Sequence, residues 1–266
     1  DQHGAGDPQA HGPPVVAEED QGGAQHGRGH EVVPIAEEPL HQHGEPVDED
    51  GLPPEVADAL DAEVVPLYRV IDGVPVLDYH DFNIQEYSEY LKTCKEIPTT
   101  SQPSPEDFLT RYERFADEGY DHIICITMSV HGSGTYNSAV LASEMFKERH
   151  PESAMQIHVV DSWSCSLNMV MELRLANHLL EAGAGIRTIL DELYAVREKV
   201  RTYYLIDNLE FLIKGGRVSP LKGGIASKLR IKPIVAIKNG EGSIPANAMG
   251  YQNGLSKLAH FFWEDC

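Results

Sequence analysis

Residues 122–136 read His122-Ile123-Ile124-Cys125-Ile126-Thr127-Met128-Ser129-Val130-His131-Gly132-Ser133-Gly134-Thr135-Tyr136. The first seven make an apolar run rich in β-branched side chains, the composition of a strand buried on both faces. A Ser/Gly turn follows, then a helical pattern from Tyr136 to about Arg149 with Ala139, Ala142, Met145 and Phe146 facing inwards. Residues 64–71 and 156–161 have the same strand character. Helix starts lie between them. Asn83 can cap a helix with Glu86 three positions on, and Ser104-Pro105-Glu106-Asp107 supplies a cap, a proline at the first helical position and an acidic first turn. That second helix sets Phe108, Tyr112 and Phe115 on one face and is predicted to end near Gly119. Strands alternating with helices imply a mainly parallel sheet covered on both faces, an α/β fold.

From about residue 164 the pattern changes. Two consecutive helices are predicted over 166–181 and 186–200, then a strand over 202–206 and a short helix ending at Lys214-Gly215-Gly216-Arg217. A further helix follows, and strands at 231–237 and 243–249 meet across an Asn239-Gly240 turn. The expected division is an acidic leader over 1–50, a parallel-sheet α/β domain over 51–163 and an α+β domain over 164–266.

The chain has 266 residues and a formal net charge of −21. Residues 1–50 supply −11 of it, with twelve acidic residues against the single basic Arg28 and no aromatic side chain. Such a segment buries too little apolar surface to offset its ordering entropy, so it is expected to be disordered and no part of the fold. Its six histidines, His3, His11, His26, His30, His41 and His43, are scattered among Gly, Pro and Gln without the spacing of a metal site. The remainder is also acidic, which argues against a nucleic-acid partner. Cys94, Cys125, Cys165 and Cys266 fall into no metal or redox spacing, as expected of free thiols in a reducing cytosol. No apolar run is long enough to span a membrane, and the amino terminus has no signal pattern, so a cytoplasmic protein without stable membrane insertion is expected. The opening Asp1, with no initiator Met, suggests a fragment or a shifted reading frame.

Two segments put hydroxyls where loops run into helices: Pro98-Thr99-Thr100-Ser101-Gln102-Pro103-Ser104-Pro105 and Ser133-Gly134-Thr135-Tyr136. Helix amino ends carry unpaired N–H groups and partial positive charge, which suits a carboxylate or phosphate. A loop after a parallel strand is also where open α/β sheets place ligands. Taken alone, Ser133-Gly134-Thr135 is a weak signal, because a Ser/Gly turn before a helix is more often a cap than a site. No nucleophile-elbow spacing surrounds Ser133, and no phosphate-binding glycine fingerprint occurs. Gly215-Gly216-Arg217 reads as a helix stop, or as a close backbone approach in which Arg217 offers a planar fork to an anion.

These segments, together with Asn137-Ser138-Ala139, Val160-Asp161-Ser162, Asp207-Asn208-Leu209-Glu210-Phe211-Leu212 and Val218-Ser219, resemble the DegV family of bacterial fatty-acid-binding proteins, in matching order from about Leu52 to about His260. The resemblance implies a two-domain protein that holds a long-chain fatty acid between its domains. It also implies that the carboxylate is presented to a fatty acid kinase subunit, with no catalysis by the carrier and no cofactor or metal. Carried over residue by residue, it points to Ser101 and Ser133 as carboxylate donors, with Thr99, Thr100, Gly134 and Thr135 around them. Gly215, Gly216 and Arg217 are the expected partner-binding residues. Relative to the family pattern, the first strand and a C-terminal segment bearing a glycine-rich turn and a histidine are expected to be missing. The rival readings are a phosphotransferase subunit or serine hydrolase of related architecture, and a fragment that binds nothing.

Overall fold

The computed structural model describes residues 34–36, 62–76, 84–207, 209–217 and 231–265. Its main sheet has four parallel strands in the order β2-β1-β6-β7, formed by β1 (Pro34–Ala36), β2 (Glu63–Val64), β6 (His122–Thr127) and β7 (Gln156–Asp161). Alternation along β6 explains its continuous apolar run. Ile123 and Cys125 pack with Phe108, Tyr112 and Phe115 of α2 (Pro105–Glu118) and with Ala139, Ala142 and Phe146 of α3 (Thr135–Arg149). Ile124 and Ile126 face the other way, onto Met169 and Leu173 of α4 (Leu167–Glu181) and Ile189 and Leu193 of α5 (Ile186–Arg197). A strand buried on both faces has no polar side, so period-2 alternation is absent from its sequence.

Among the described residues there are two further, smaller antiparallel sheets. One has the order β4-β3-β5, from β3 (Tyr68–Ile71), β4 (Val74–Val76) and β5 (Thr99–Ser101); the helix α1 (Ile84–Thr93) lies between β4 and β5 in the chain. The other has the order β10-β9-β8, from β8 (Arg201–Leu205), β9 (Ile231–Lys238) and β10 (Glu241–Met249). The short α6 (Glu210–Lys214) lies between β8 and β9 in the chain, and α7 (Tyr251–Asp265) follows β10 and packs on this sheet. No helix among the described residues is long and apolar enough to cross a membrane.

Three expectations are corrected. Residues 64–71 are two strands in different sheets, because Pro66, which has no amide to continue a ladder, separates β2 from β3. Thr99–Ser101, expected as loop, is the strand β5, paired with β3 through Val70, Arg69 and Tyr68. Pro34–Ala36 falls in the leader expected to be disordered, yet it occupies an inner position of the main sheet, paired with β2 and β6. A first strand is therefore present where it was expected to be missing; it belongs to the short apolar run 32–36, hidden by the polar average around it. Separately, α4 and α5 pack through Met169, Leu173, Ile189 and Leu193 onto Ile124 and Ile126 of the parallel sheet. The Asn83 cap and the helix expected after Arg217 lie outside the described residues.

Candidate site at the carboxyl end of the parallel sheet

Strands β6 and β7 end side by side, and their following loops are bonded to each other. The Ser129 amide donates to the Ser164 carbonyl at 2.8 Å, while the Ser129 carbonyl accepts from the amides of Gly132 and Ser133 at 2.8 and 3.1 Å. This tight turn delivers Ser133, nearly buried, to the start of α3. Its Oγ lies 2.8 Å from Thr135 Oγ1 and accepts from the Thr135 amide at 3.3 Å. This hydroxyl therefore stands beside another alcohol at a helix amino end, a place suited to meeting an anion.

The other hydroxyl segment reaches the same place. Beyond β5, the Gln102 side chain lies directly over Gly134, so that a Cβ there would fall inside the Gln102 amide. Gln102 Nε2 also donates to Ser138 Oγ in the first turn of α3 at 3.2 Å. Glycine at 134 leaves room for this approach, and a side chain there would push the Gln102 amide aside. Ser101 and Ser133 each stand one residue from the contact, and the two segments are brought together. Thr99 and Ser101 are exposed and Thr100 partly so; the Ser101 hydroxyl donates to the Gln102 carbonyl at 3.5 Å, a long and readily exchanged bond.

Arg217 comes to this site as well. Its Nε donates to the Gly132 carbonyl at 3.0 Å, and its Nη1 to the Gly215 carbonyl at 2.6 Å. Gly215 and Gly216 close α6 through bonds to Phe211 and Ile213, with Gly216 at φ 78°, so the helix stop and the delivery of Arg217 are one feature.

Behind these loops lies a polar cluster of which only Asp161 stands in a motif quoted from the sequence. Buried Asp161 accepts from the Trp163 amide at 3.0 Å and from the Val130 amide at 3.5 Å. Arg197, at the end of α5, donates from Nη1 to the Asp161 carbonyl at 2.8 Å. Its guanidinium sits between the rings of Trp163 and Tyr194, 4.2 and 4.6 Å from their centroids. Buried Glu172 is close enough to feel both charges. Burial pushes its acid up to about 8, with Arg197 lowering it and Asp161 raising it as lesser influences. Neither the cation–π sandwich nor the buried acid has a local sequence signal, since both depend on how α4 and α5 fold back onto β7.

The family model that matches residues 50–265 is described as "Uncharacterised protein, DegV family". A fatty acid-binding protein from Thermotoga maritima is 35% identical over 185 residues, which make up 68% of this chain and 62% of that protein. The chain thus spans about three fifths of that relative's length. In structure it is similar to a DegV family protein from Thermus thermophilus described for its fatty acid binding, with a TM-score of 0.73 and 29% identity, covering 88% of this chain and 77% of that one. It is also similar to a Thermotoga maritima protein whose structure is described as revealing a fatty acid binding function, with a TM-score of 0.71, 29% identity and the same two coverages.

Proposed function

The chain belongs to the DegV family, and from that premise we propose that it binds one long-chain fatty acid in the cytoplasm and presents the carboxylate to a fatty acid kinase, with no reaction of its own. The observation that carries this reading is the seating of Gln102 on Gly134, which gathers two hydroxyl segments at the amino end of α3. Fatty acid binding by the Thermotoga and Thermus relatives supports it from outside.

In this proposal the Ser101 and Ser133 hydroxyls donate to the two carboxylate oxygens. Thr99, Thr100 and Thr135 shape the surrounding polar rim, and Gly134 leaves room for the approach. The α3 amino end adds its partial positive charge. Hydrogen bonds to an ionised acceptor are the stronger kind, and they offset the desolvation of the carboxylate. The acyl chain contributes about 0.8 kcal/mol per buried CH₂, so long chains are preferred over short ones. Arg217, exposed beside the Ser133 loop, forms with Gly215 and Gly216 the edge on which the kinase docks.

Extraction of lipid from the purified protein, combined with intact mass measurement, tests the proposal. The expected result is a freely extractable long-chain fatty acid and no covalent adduct. An acyl-enzyme or phosphoenzyme mass would contradict it and favour the hydrolase or phosphotransferase alternative. For the docking edge, Arg217→Ala is expected to weaken capture of the purified kinase, and undiminished capture removes that assignment.

A further inference from the structure

The tip of the β9–β10 hairpin touches the site loops directly. Asn239 and Gly240, at φ 53° and 81°, form a turn with both central residues left-handed, the geometry that favours Asn-Gly. Ser129 Oγ donates to the Gly240 carbonyl at 2.7 Å, a buried bond between residues 111 positions apart. A Cβ at Gly240 would lie 2.9 Å from Ser129 Oγ, 3.2 Å from His131 Cδ2 and 3.3 Å from Trp163 Cδ1. The tip therefore sits in a notch walled by the loops after β6 and β7. Ser129 joins the two sides: its carbonyl shapes the turn that carries Ser133, and its Oγ accepts from the His131 amide of that turn at 3.2 Å while donating to the tip of the β9–β10 hairpin. The opposite wall, Trp163, is itself held by Asp161 and by the stacked Arg197.

We propose that Ser129 is a positioning residue for the fatty acid site: its hydroxyl latches the hairpin tip onto the Ser133 loop, and opening of this latch lets the two halves part and the ligand leave. The inference rests on the carrier reading for its ligand half, while the latch itself is tested separately. Removal of the hydroxyl leaves the buried Gly240 carbonyl without this donor. Loss of one neutral bond of this kind shifts an equilibrium by roughly threefold to tenfold.

The chain has two tryptophans, and Trp263 is largely exposed, so in a Trp263→Phe background Trp163 reports the notch alone. Ser129→Ala is expected to raise acrylamide quenching of Trp163 and to speed dissociation of cis-parinaric acid by about threefold to tenfold. Ser129→Thr, which keeps the hydroxyl, restores both. Gly240→Ala attacks the same contact from the hairpin side and gives the same pair of changes; adding Ser129→Ala to it changes release little further, because the contact is already lost. Unchanged quenching and unchanged release in Ser129→Ala overturn the latch. A parent chain that takes up no cis-parinaric acid overturns the carrier reading and the release half together, and the quenching comparison distinguishes that failure from failure of the latch.

Discussion

Glu172 has both carboxyl oxygens buried without a hydrogen-bond partner among the described residues. With its acid pushed up to about 8 from an ordinary 4.5, the folded chain keeps a proton that the unfolded chain releases. The stabilisation is fully present below pH 4.5 and is lost as pH rises towards 8, at up to about 1.4 kcal/mol per pH unit. Glu172→Gln, which cannot ionise, is expected to flatten the dependence of unfolding free energy on pH between about 5 and 8 in urea titrations. An unaltered slope in that variant contradicts the assignment. His158 bears on the acid side: burial first, then His122 and Lys147, hold its imidazole below the ordinary 6.5. Charging it opposes folding as pH falls below 6.5, and His158→Gln should reduce that loss. The hydroxyls of Ser101 and Ser133 were legible in the sequence because they stand in motifs. Glu172, Trp163 and Ser129 were not, because a buried acid, a stacked ring and a cross-sheet donor acquire meaning only from partners far away in the chain.

Among the elements, α2 shows what local code can specify. Ser104 Oγ accepts from the Asp107 amide at 3.2 Å, and Asp107 Oδ2 accepts from the Ser104 amide at 2.7 Å, a reciprocal cap with Pro105 just inside it. Both Asp107 oxygens also accept from the Tyr68 hydroxyl at 3.0 Å, tying β3 to the start of the helix. Ser104→Ala is expected to destabilise the fold by about 1 kcal/mol, and Asp107→Ala by more, since it also frees Tyr68. Urea midpoints in the reverse order would contradict this ranking. The helix α2 follows from its cap, and α3, α4 and α5 and the strands β6 and β7 follow from apolar patterning within single segments. By contrast, β5 owes its strand conformation to pairing with β3, thirty residues away, and β1 owes its place to flanking strands on either side. Neither dependence leaves a mark in a short window of sequence.

Across the whole molecule, the parallel sheet with α2–α5 forms one layered body, and the β10-β9-β8 sheet with α7 meets it through the Gly240 tip, Arg217 and the Ser164–Thr202 hydroxyl pair at 3.1 Å. A two-part α/β architecture was legible from the change of pattern along the chain; the packing of α4 and α5 onto the parallel sheet was not, because amphipathic helices suit either unit until their partners are seen. A ligand held where the two parts meet stabilises only the folded chain, by about 2.7 kcal/mol at a hundred times its dissociation constant. Oleate is accordingly expected to raise the melting temperature of lipid-free protein, and an unchanged midpoint at saturating oleate contradicts specific binding. The most direct measurement is a calorimetric titration of oleate into lipid-free parent chain and into Ser133→Ala and Ser101→Ala. The account predicts one site per chain in the parent and a loss of about 1.5–3 kcal/mol in each variant, the range for a hydrogen bond to a charged group; no heat of binding in the parent, or equal affinity in all three proteins, would contradict it.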